Sequence, residues 1–264
     1  MADTCWSLLK ELFEFNMNFT PTAAEIEQFE ADLCMVSPSL MRASLLEIRA
    51  TNPVASGRAR DWRDAIYRVY NRKVAEHAQL FPLFHSFETA MRSTVAVRLE
   101  AHYQEAKWWL PFSELVRRGE ANPKSVKTVG GVLITADAAK SVYFLVSSLY
   151  EKKTNPAQIN NGYDLLEQVP LSHLSALIEK HWSIFGGCFV LRGKKFSWAD
   201  FSSRFERVRV ARNTVYHHRS YAGFSDLYSA AEELLACLNF PLAKVHRRIA
   251  ASRCTAPSYV PLLP

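Results

Sequence analysis

Glycine is scarce in this chain, with 9 residues in 264. So few leave little from which to build a loop-rich all-β fold or a glycine-rich loop that cradles nucleotide phosphates. Cysteine is sparser still. Cys5, Cys34, Cys188, Cys237 and Cys254 are odd in number and scattered, and no C-x-x-C pair occurs. That pattern argues against a disulfide framework or a structural zinc site and fits a reducing cytosol. Long apolar runs are missing too: nothing reaches the roughly 18 consecutive apolar residues of a membrane span. The N-terminal "CWSLLKELFEFNMNF" carries Lys10, Glu11 and Glu14 inside its apolar stretch, which breaks the core of a signal peptide. No internal repeat is present. These absences lead us to expect a cytoplasmic protein with no membrane segment, no metal site and no cofactor.

What the chain does have is apolar content and helix punctuation. Hydrophobic residues make up 48%, enough for a packed core. The net charge is +6 and the isoelectric point about 9.1, a balance that suits a polyanionic partner. Thr20-Pro21 reads as a helix cap followed by proline at the first helical position, opening a helix to about Leu33. Ser37-Pro38 repeats the signal ahead of "SLMRASLLEIR". "TNPVASGRAR" (51–60) reads as a loop, and a helix then runs from Asp61 to about Leu80. Pro82 permits a fresh start, with Leu83, Phe87 and Met91 along one side of the next helix. "RRGEANPKSVKTVGG" (117–131) is linker-like. "ADAAKSVYFLVSSLYEKK" is a buried helix, a helix from Leu171 to Phe185 stops at Gly186-Gly187, and "CFVLRGKKFSW" could be a short hairpin. The last long helix opens near Ser225 and is expected to kink at Pro241. The expected fold is all-α, with about eight to ten helices: an N-terminal helical extension over 1–60, a main helical domain over 61–254, and a loosely ordered tail over 255–264.

One stretch concentrates polar functionality. "RVARNTVYHHRS" (209–220) holds three arginines, an asparagine and two adjacent histidines. Upstream, Ser197 and Asp200 form an approximate capping box. Phe201, Phe205, Val208, Ala211 and Val215 then lie on one helical stripe. Arg212 falls at the edge of that stripe, where an arginine is expensive unless it is paired or lines a cleft. Asn213 and His217 are four apart, so the amide could fix the imidazole tautomer. Arg212 and His217 are about 140° apart around an ideal helix. They share one phosphate only if the helix end unwinds or if two chains pool their groups across a twofold axis. Arginine offers a bidentate fork for phosphate oxygens, and histidine can move a proton at a ribose 2′-hydroxyl or a leaving 5′-oxygen.

An arginine, four to six intervening residues and then a histidine is expected roughly twice by chance in a chain with this many of each. It occurs three times, in Arg212–His217, Arg212–His218 and Arg72–His77. Context singles out the first, with asparagine directly after the arginine, a second histidine and a strong amphipathic helix. "RKVAEH" (72–77) lacks the asparagine and reads as a solvated helix end.

"RNTVYH" is similar to the R-N-x-x-x-H signature of HEPN-domain proteins, and "LFHSFETAMRSTVAVRLEAHYQEAKWWLP" (83–111) resembles the abortive-infection (Abi-like) branch of that superfamily. The matching features are Glu88, Arg92, Trp108 and Trp109, followed by "WSIFGG" and "FSWADFSSRFERVRVARNTVYHH". The resemblance covers about 83–225. The segment before Arg212 is more basic than usual, and the first 60 residues match nothing in it. It implies a HEPN-like helical bundle with additional N-terminal helices. It further implies a metal-independent endoribonuclease acting as a toxin or in phage defence, with RNA as substrate. Arg212 would contact phosphate, His217 would be the acid/base group and Asn213 would orient it. A homodimer would bring two motifs into one cleft, and an antitoxin or small RNA could be a partner.

Around these, Arg209, His218 and Arg219 are candidate substrate-binding groups. Glu88 and Arg92 read first as an i,i+4 ion pair, and otherwise as additional cleft residues. Two further readings stay open: a non-catalytic helical RNA-binding or regulatory module with the same fold, and a structural helical protein whose motif is fortuitous.

Overall fold

The structure, a computed structural model, describes residues 2–11, 22–51 and 62–240. The chain is predominantly helical. Its described residues fall into two compact units, one made of residues up to 82 together with 211–224, the other of 83–210 together with 225–240.

In the first unit, α1 (Ala2–Glu11), α2 (Ala23–Leu33), α3 (Pro38–Thr51) and α4 (Trp62–Ala78) surround one core. α2 begins two residues later than the sequence suggests. Its cap is Thr22, whose hydroxyl accepts from the Glu25 amide while the Glu25 carboxylate accepts from the Thr22 amide. A reciprocal box satisfies two otherwise orphaned donors, which a threonine–proline start cannot do. Thr20 and Pro21 themselves lie outside the described residues. α3 starts as expected, with Ser37 as cap and Pro38 at the first position; Ser37 Oγ accepts from the Leu40 amide. Phe29, Leu40, Met41, Leu45, Ile66 and Tyr67 are buried in the core. Within it Asp32, 0% exposed, accepts from Nε and Nη2 of Arg63 at 2.9 and 2.6 Å, tying α2 to α4. A buried carboxylate needs this kind of paired, hydrogen-bonded partner. α4 belongs with the three N-terminal helices in this division, whereas the sequence reading placed a boundary at 60. Of the loop expected at 51–60, Thr51 instead closes α3 and 52–60 lie outside the described residues.

The second unit starts within α5 (Phe81–Tyr103), where Pro82 at the second position permits the new helix. α6 (Leu110–Arg117) follows directly on the Trp108-Trp109 turn and was not read from the sequence. Both indoles are 0% exposed and meet edge to face at 5.4 Å, and Trp109 Nε1 donates to the Pro156 carbonyl at 2.9 Å. The tryptophan pair is therefore core. The stretch read as linker folds into a 3₁₀ turn at Pro123–Ser125 and a hairpin of β1 (Thr128–Val129) and β2 (Val132–Leu133). Its turn needs glycine. Gly130 has φ +53°, and a Cβ there would stand 1.8 Å from the Tyr103 carbonyl oxygen. α7 (Ala136–Glu151) packs against α6 and against α9 (Leu171–Lys180), with α8 (Gly162–Glu167) between. The expected Leu171–Phe185 helix is two pieces, because His181 breaks it before α10 (Trp182–Phe185). The break is held from inside. His181 Nδ1 lies 2.8 Å from the Leu177 carbonyl, its Nε2 2.9 Å from the Tyr103 hydroxyl. The ring therefore donates through Nδ1 and accepts through Nε2. Burial pushes the His181 pKa down to about 4 and the Tyr103 pKa up to about 12. The expected hairpin forms from β3 (Val190–Leu191) and β4 (Lys194–Lys195). α11 (Trp198–Tyr216) and α12 (Phe224–Cys237) complete the described chain. Pro241 and the 255–264 tail lie outside it. No described helix is long and apolar enough to cross a membrane.

Candidate functional site

α11 forms for the reasons its sequence gives. Ser197 Oγ accepts from the Asp200 amide, and the Asp200 carboxylate accepts from the Ser197 amide and hydroxyl. Those hydrogen bonds hold the Asp200 carboxyl below its ordinary pKa. Phe201, Phe205, Val208, Ala211 and Val215 are all 0% exposed. Burial of such a stripe, at about 25 cal/mol per Å², outweighs the low helix propensity of its β-branched and aromatic members.

The helix ends at Tyr216, one residue before His217. The His218 amide donates to the Val215 carbonyl at 2.9 Å and the Arg219 amide to the Thr214 carbonyl at 2.8 Å. That pair of bonds is a Schellman closure with His218 at the left-handed position, φ +52°. Glycine is the usual occupant there; histidine is tolerated at some cost. The turn is also pinned from α3. Ser37 Oγ donates to the His218 carbonyl at 2.6 Å, and the Ser220 amide donates to Ser39 Oγ at 3.0 Å.

Arg212 is half-buried. Its guanidinium carbon lies 4.1 Å from the centre of the Tyr216 ring, and Nη1 donates to Asn213 Oδ1 at 3.3 Å. The Phe81 ring meets Tyr216 edge-on at 5.1 Å, so the platform under the guanidinium is itself braced. The Asn213 side chain thus serves Arg212. It makes no hydrogen bond to the His217 ring, contrary to the i,i+4 expectation. The His217 amide does donate to the Asn213 carbonyl, at 3.1 Å. His217, His218 and Arg219 are exposed.

The other candidates are occupied elsewhere. Arg209 is paired bidentately with Glu206 on its own helix, Nε to Oε2 at 2.7 Å and Nη2 to Oε1 at 2.5 Å. The Glu206 hydrogen bonds raise the Arg209 pKa and lower that of Glu206. Arg92, 7% exposed, donates through Nη1 to the Leu166 and Val169 carbonyls and pairs with Glu88 at 3.2 Å. It braces the end of α8 within the second unit.

The sequence reading missed His77. It is 6% exposed, not a solvated helix end. Arg72 of the same stretch is solvated, and pairs with Glu47 and Glu76. A usable signal existed: Ile66, Tyr70, Val74 and His77 fall at i, i+4, i+8 and i+11, which sets the histidine on the apolar stripe of α4. His77 lines a cavity of about 600 Å³ whose other walls include Leu40, Tyr70, Phe81, His217 and His218. Burial, with His218 and Lys73 nearby, pushes the His77 pKa below its ordinary value. A second concavity of about 590 Å³, in the other unit, is lined by Thr94, Arg98, Cys188, Cys237 and Asn239 and contains none of the expected site residues. Among the described residues no cluster of three or more His, Cys, Asp or Glu is arranged to hold a metal ion.

Comparison of the chain with known protein families, with characterised proteins and with solved structures found no match.

Proposed function

We propose that the chain is a metal-independent endoribonuclease of the HEPN type. The observation that carries this reading is the end of α11: an arginine held half-buried on an aromatic platform, followed in the next turn by an exposed histidine at the mouth of a cavity. Arg212 binds the scissile phosphate, and Asn213 and Tyr216 orient its guanidinium. The ribose 2′-oxygen attacks phosphorus as its proton passes to a base, the P–O5′ bond breaks, and the leaving 5′-oxygen takes a proton from an acid. His217, exposed at the mouth of the cavity, is assigned this acid/base work. The products are a 2′,3′-cyclic phosphate and a 5′-hydroxyl; DNA, lacking the 2′-hydroxyl, is not cut. The same reading includes a HEPN-like bundle, a homodimer in which two α11 ends share a cleft, and a role as a toxin or phage-defence effector restrained by an antitoxin or small RNA.

A second reading, an RNA-binding module without catalysis, is favoured by one observation. No side-chain hydrogen bond from Asn213 fixes the His217 tautomer. Single-turnover cleavage of one RNA and its DNA counterpart, in EDTA, separates the two. His217→Ala should abolish cutting without loss of melting temperature. Arg212→Lys keeps the charge but loses the planar fork. Loss of a transition-state contact of about 3 kcal/mol lowers the rate roughly a hundredfold. Parental RNA binding with no cleavage in any buffer leaves the binding module as the function.

A further inference from the structure

The cavity beside His217 is built, not incidental. Its walls come from the start of α3, one face of α4, Phe81 and the turn that ends α11. Tyr70 is fixed as a wall because its hydroxyl accepts from the Ser37 amide at 3.0 Å. Ser37 in turn holds the His218 carbonyl, so the histidine turn and the wall opposite share one anchor. The lining is mostly apolar, with Leu40 and Val215 at 2% and 0% exposure. At the mouth, Met35 and Phe81 stand 64% and 37% exposed, unusual for large apolar side chains beside an apolar hollow.

Among the polar residues that line this hollow, beside Ser37, Tyr70, His217 and His218, is His77. His77 is more than nine-tenths buried and lines the hollow. Its ring nitrogens offer hydrogen bonds that the apolar part of the lining cannot, an arrangement that suits a ligand with polar edges. Near neutrality the ring is uncharged, so it presents one donor and one acceptor. Apolar walls exclude a phosphate, and a neutral ring in an aromatic-edged pocket suits a flat heteroaromatic with polar edges. The volume falls in the range of roughly 300–1,000 Å³ typical of pockets for such ligands.

We propose that this cavity binds an unstacked nucleobase, with His77 hydrogen-bonded to the base edge and Phe81 and Tyr70 packed against it. The ribose and phosphate then lie at the mouth beside His217. The inference rests on the ribonuclease reading for its source of bases, single-stranded RNA. A free nucleotide offers the same chemistry. Splayed single-stranded bases are read in this manner, by stacking and edge hydrogen bonds.

The test uses the full chain carrying His217→Ala, so that RNA stays intact, and follows binding by fluorescence anisotropy at one fixed salt concentration. The probes are a single-stranded RNA decamer, the same decamer with abasic positions, and the four nucleoside 3′-monophosphates. Intact RNA should bind about tenfold or more tighter than abasic RNA, the lower end of what one stacked base contributes. His77→Leu should shrink that difference below about threefold in a variant that thermal melts show to be folded. Phe81→Ala, at the partly exposed mouth, should shrink it too. Equal binding of intact and abasic RNA overturns the proposal, as does a difference that survives both substitutions. Binding of a nucleoside monophosphate without binding of RNA sustains the nucleobase cavity and rejects the ribonuclease. Cleavage by the His217 parent with no effect of His77→Leu on rate or on nucleotide preference does the reverse.

Discussion

Arg92→Met should unfold the protein more easily without touching the candidate site at the end of α11 directly. Arg92 is 7% exposed and donates to two backbone carbonyls, Leu166 and Val169, while pairing with Glu88. Methionine keeps an apolar stem and drops the guanidinium. Each buried acceptor left without a donor costs about 1–3 kcal/mol, and removing one member of a buried ion pair costs about 3–5 kcal/mol. These costs overlap, so the expected loss is about 3–5 kcal/mol, not their sum. At about 2–4 °C per kcal/mol for a chain near this size, the melting temperature falls by roughly 6–20 °C. Glu88 is less buried, 17% exposed against 8% for the Arg92 side chain, so Glu88→Gln should cost about 1 kcal/mol. The pair Arg92→Met with Glu88→Met should recover part of the Arg92→Met loss, because the stranded carboxylate is gone. Urea titrations at neutral pH, with thermal melts, measure all four proteins. An Arg92→Met variant that melts within about 2 °C of the parent yet no longer binds or cuts RNA would refute the bracing role and return Arg92 to the functional groups.

Other outcomes follow from buried groups and tight turns. His181 has a depressed folded-state pKa of about 4, so below its ordinary value near 6.5 the unfolded chain takes up a proton that the folded chain refuses. Stability should therefore fall between pH 6.5 and 4, by about 3 kcal/mol in all at about 1.4 kcal/mol per unit. His181→Gln should melt lower at pH 7.5 but lose that part of the acid slope; an unchanged slope rejects the assignment. Gly131, φ +80° with open space around it, should accept alanine for about 1 kcal/mol. Gly130→Ala should cost at least twice as much because its Cβ meets the Tyr103 carbonyl, and equal melting temperatures for the two variants contradict this. Tyr216→Leu removes the platform under Arg212 and, on the proposed ribonuclease reading, should slow RNA cleavage with little change in melting temperature, since the residue is 39% exposed; parental rates show that the stack is dispensable.

Local signals carried α11 almost completely. A cap, a five-residue apolar stripe and the polar run after it are all written between Ser197 and Ser220, and each is where the periodicity puts it. The threonine–proline and serine–proline punctuation served unequally: Ser37-Pro38 marks a real start, whereas Thr22, two residues past the expected cap, wins because Glu25 completes a reciprocal box. What stayed hidden depends on residues far apart in the chain. Nothing near Ser37 says that its hydroxyl will hold the carbonyl of His218, and nothing near Asn213 says that its amide will turn to the preceding arginine. His77 was hidden differently: its helical stripe was legible, but the exposed Arg72 beside it set the reading of the whole segment.

The bond between Ser37 and the His218 carbonyl spans 181 positions, and that span has a consequence for how the protein is made. A chain emerging from the ribosome has completed α3 and α4, three sides of the cavity, by residue 81. The fourth side must wait for His217 and His218. At roughly 5–20 residues per second, that interval lasts about 7–30 seconds. Throughout it the hollow stands open to whatever is nearby, including the apolar segments of the same nascent chain. The histidine turn is the last piece of the cavity to arrive, so the candidate site comes into being only once residues 217 and 218 have emerged, and a chain interrupted before residue 217 lacks it altogether.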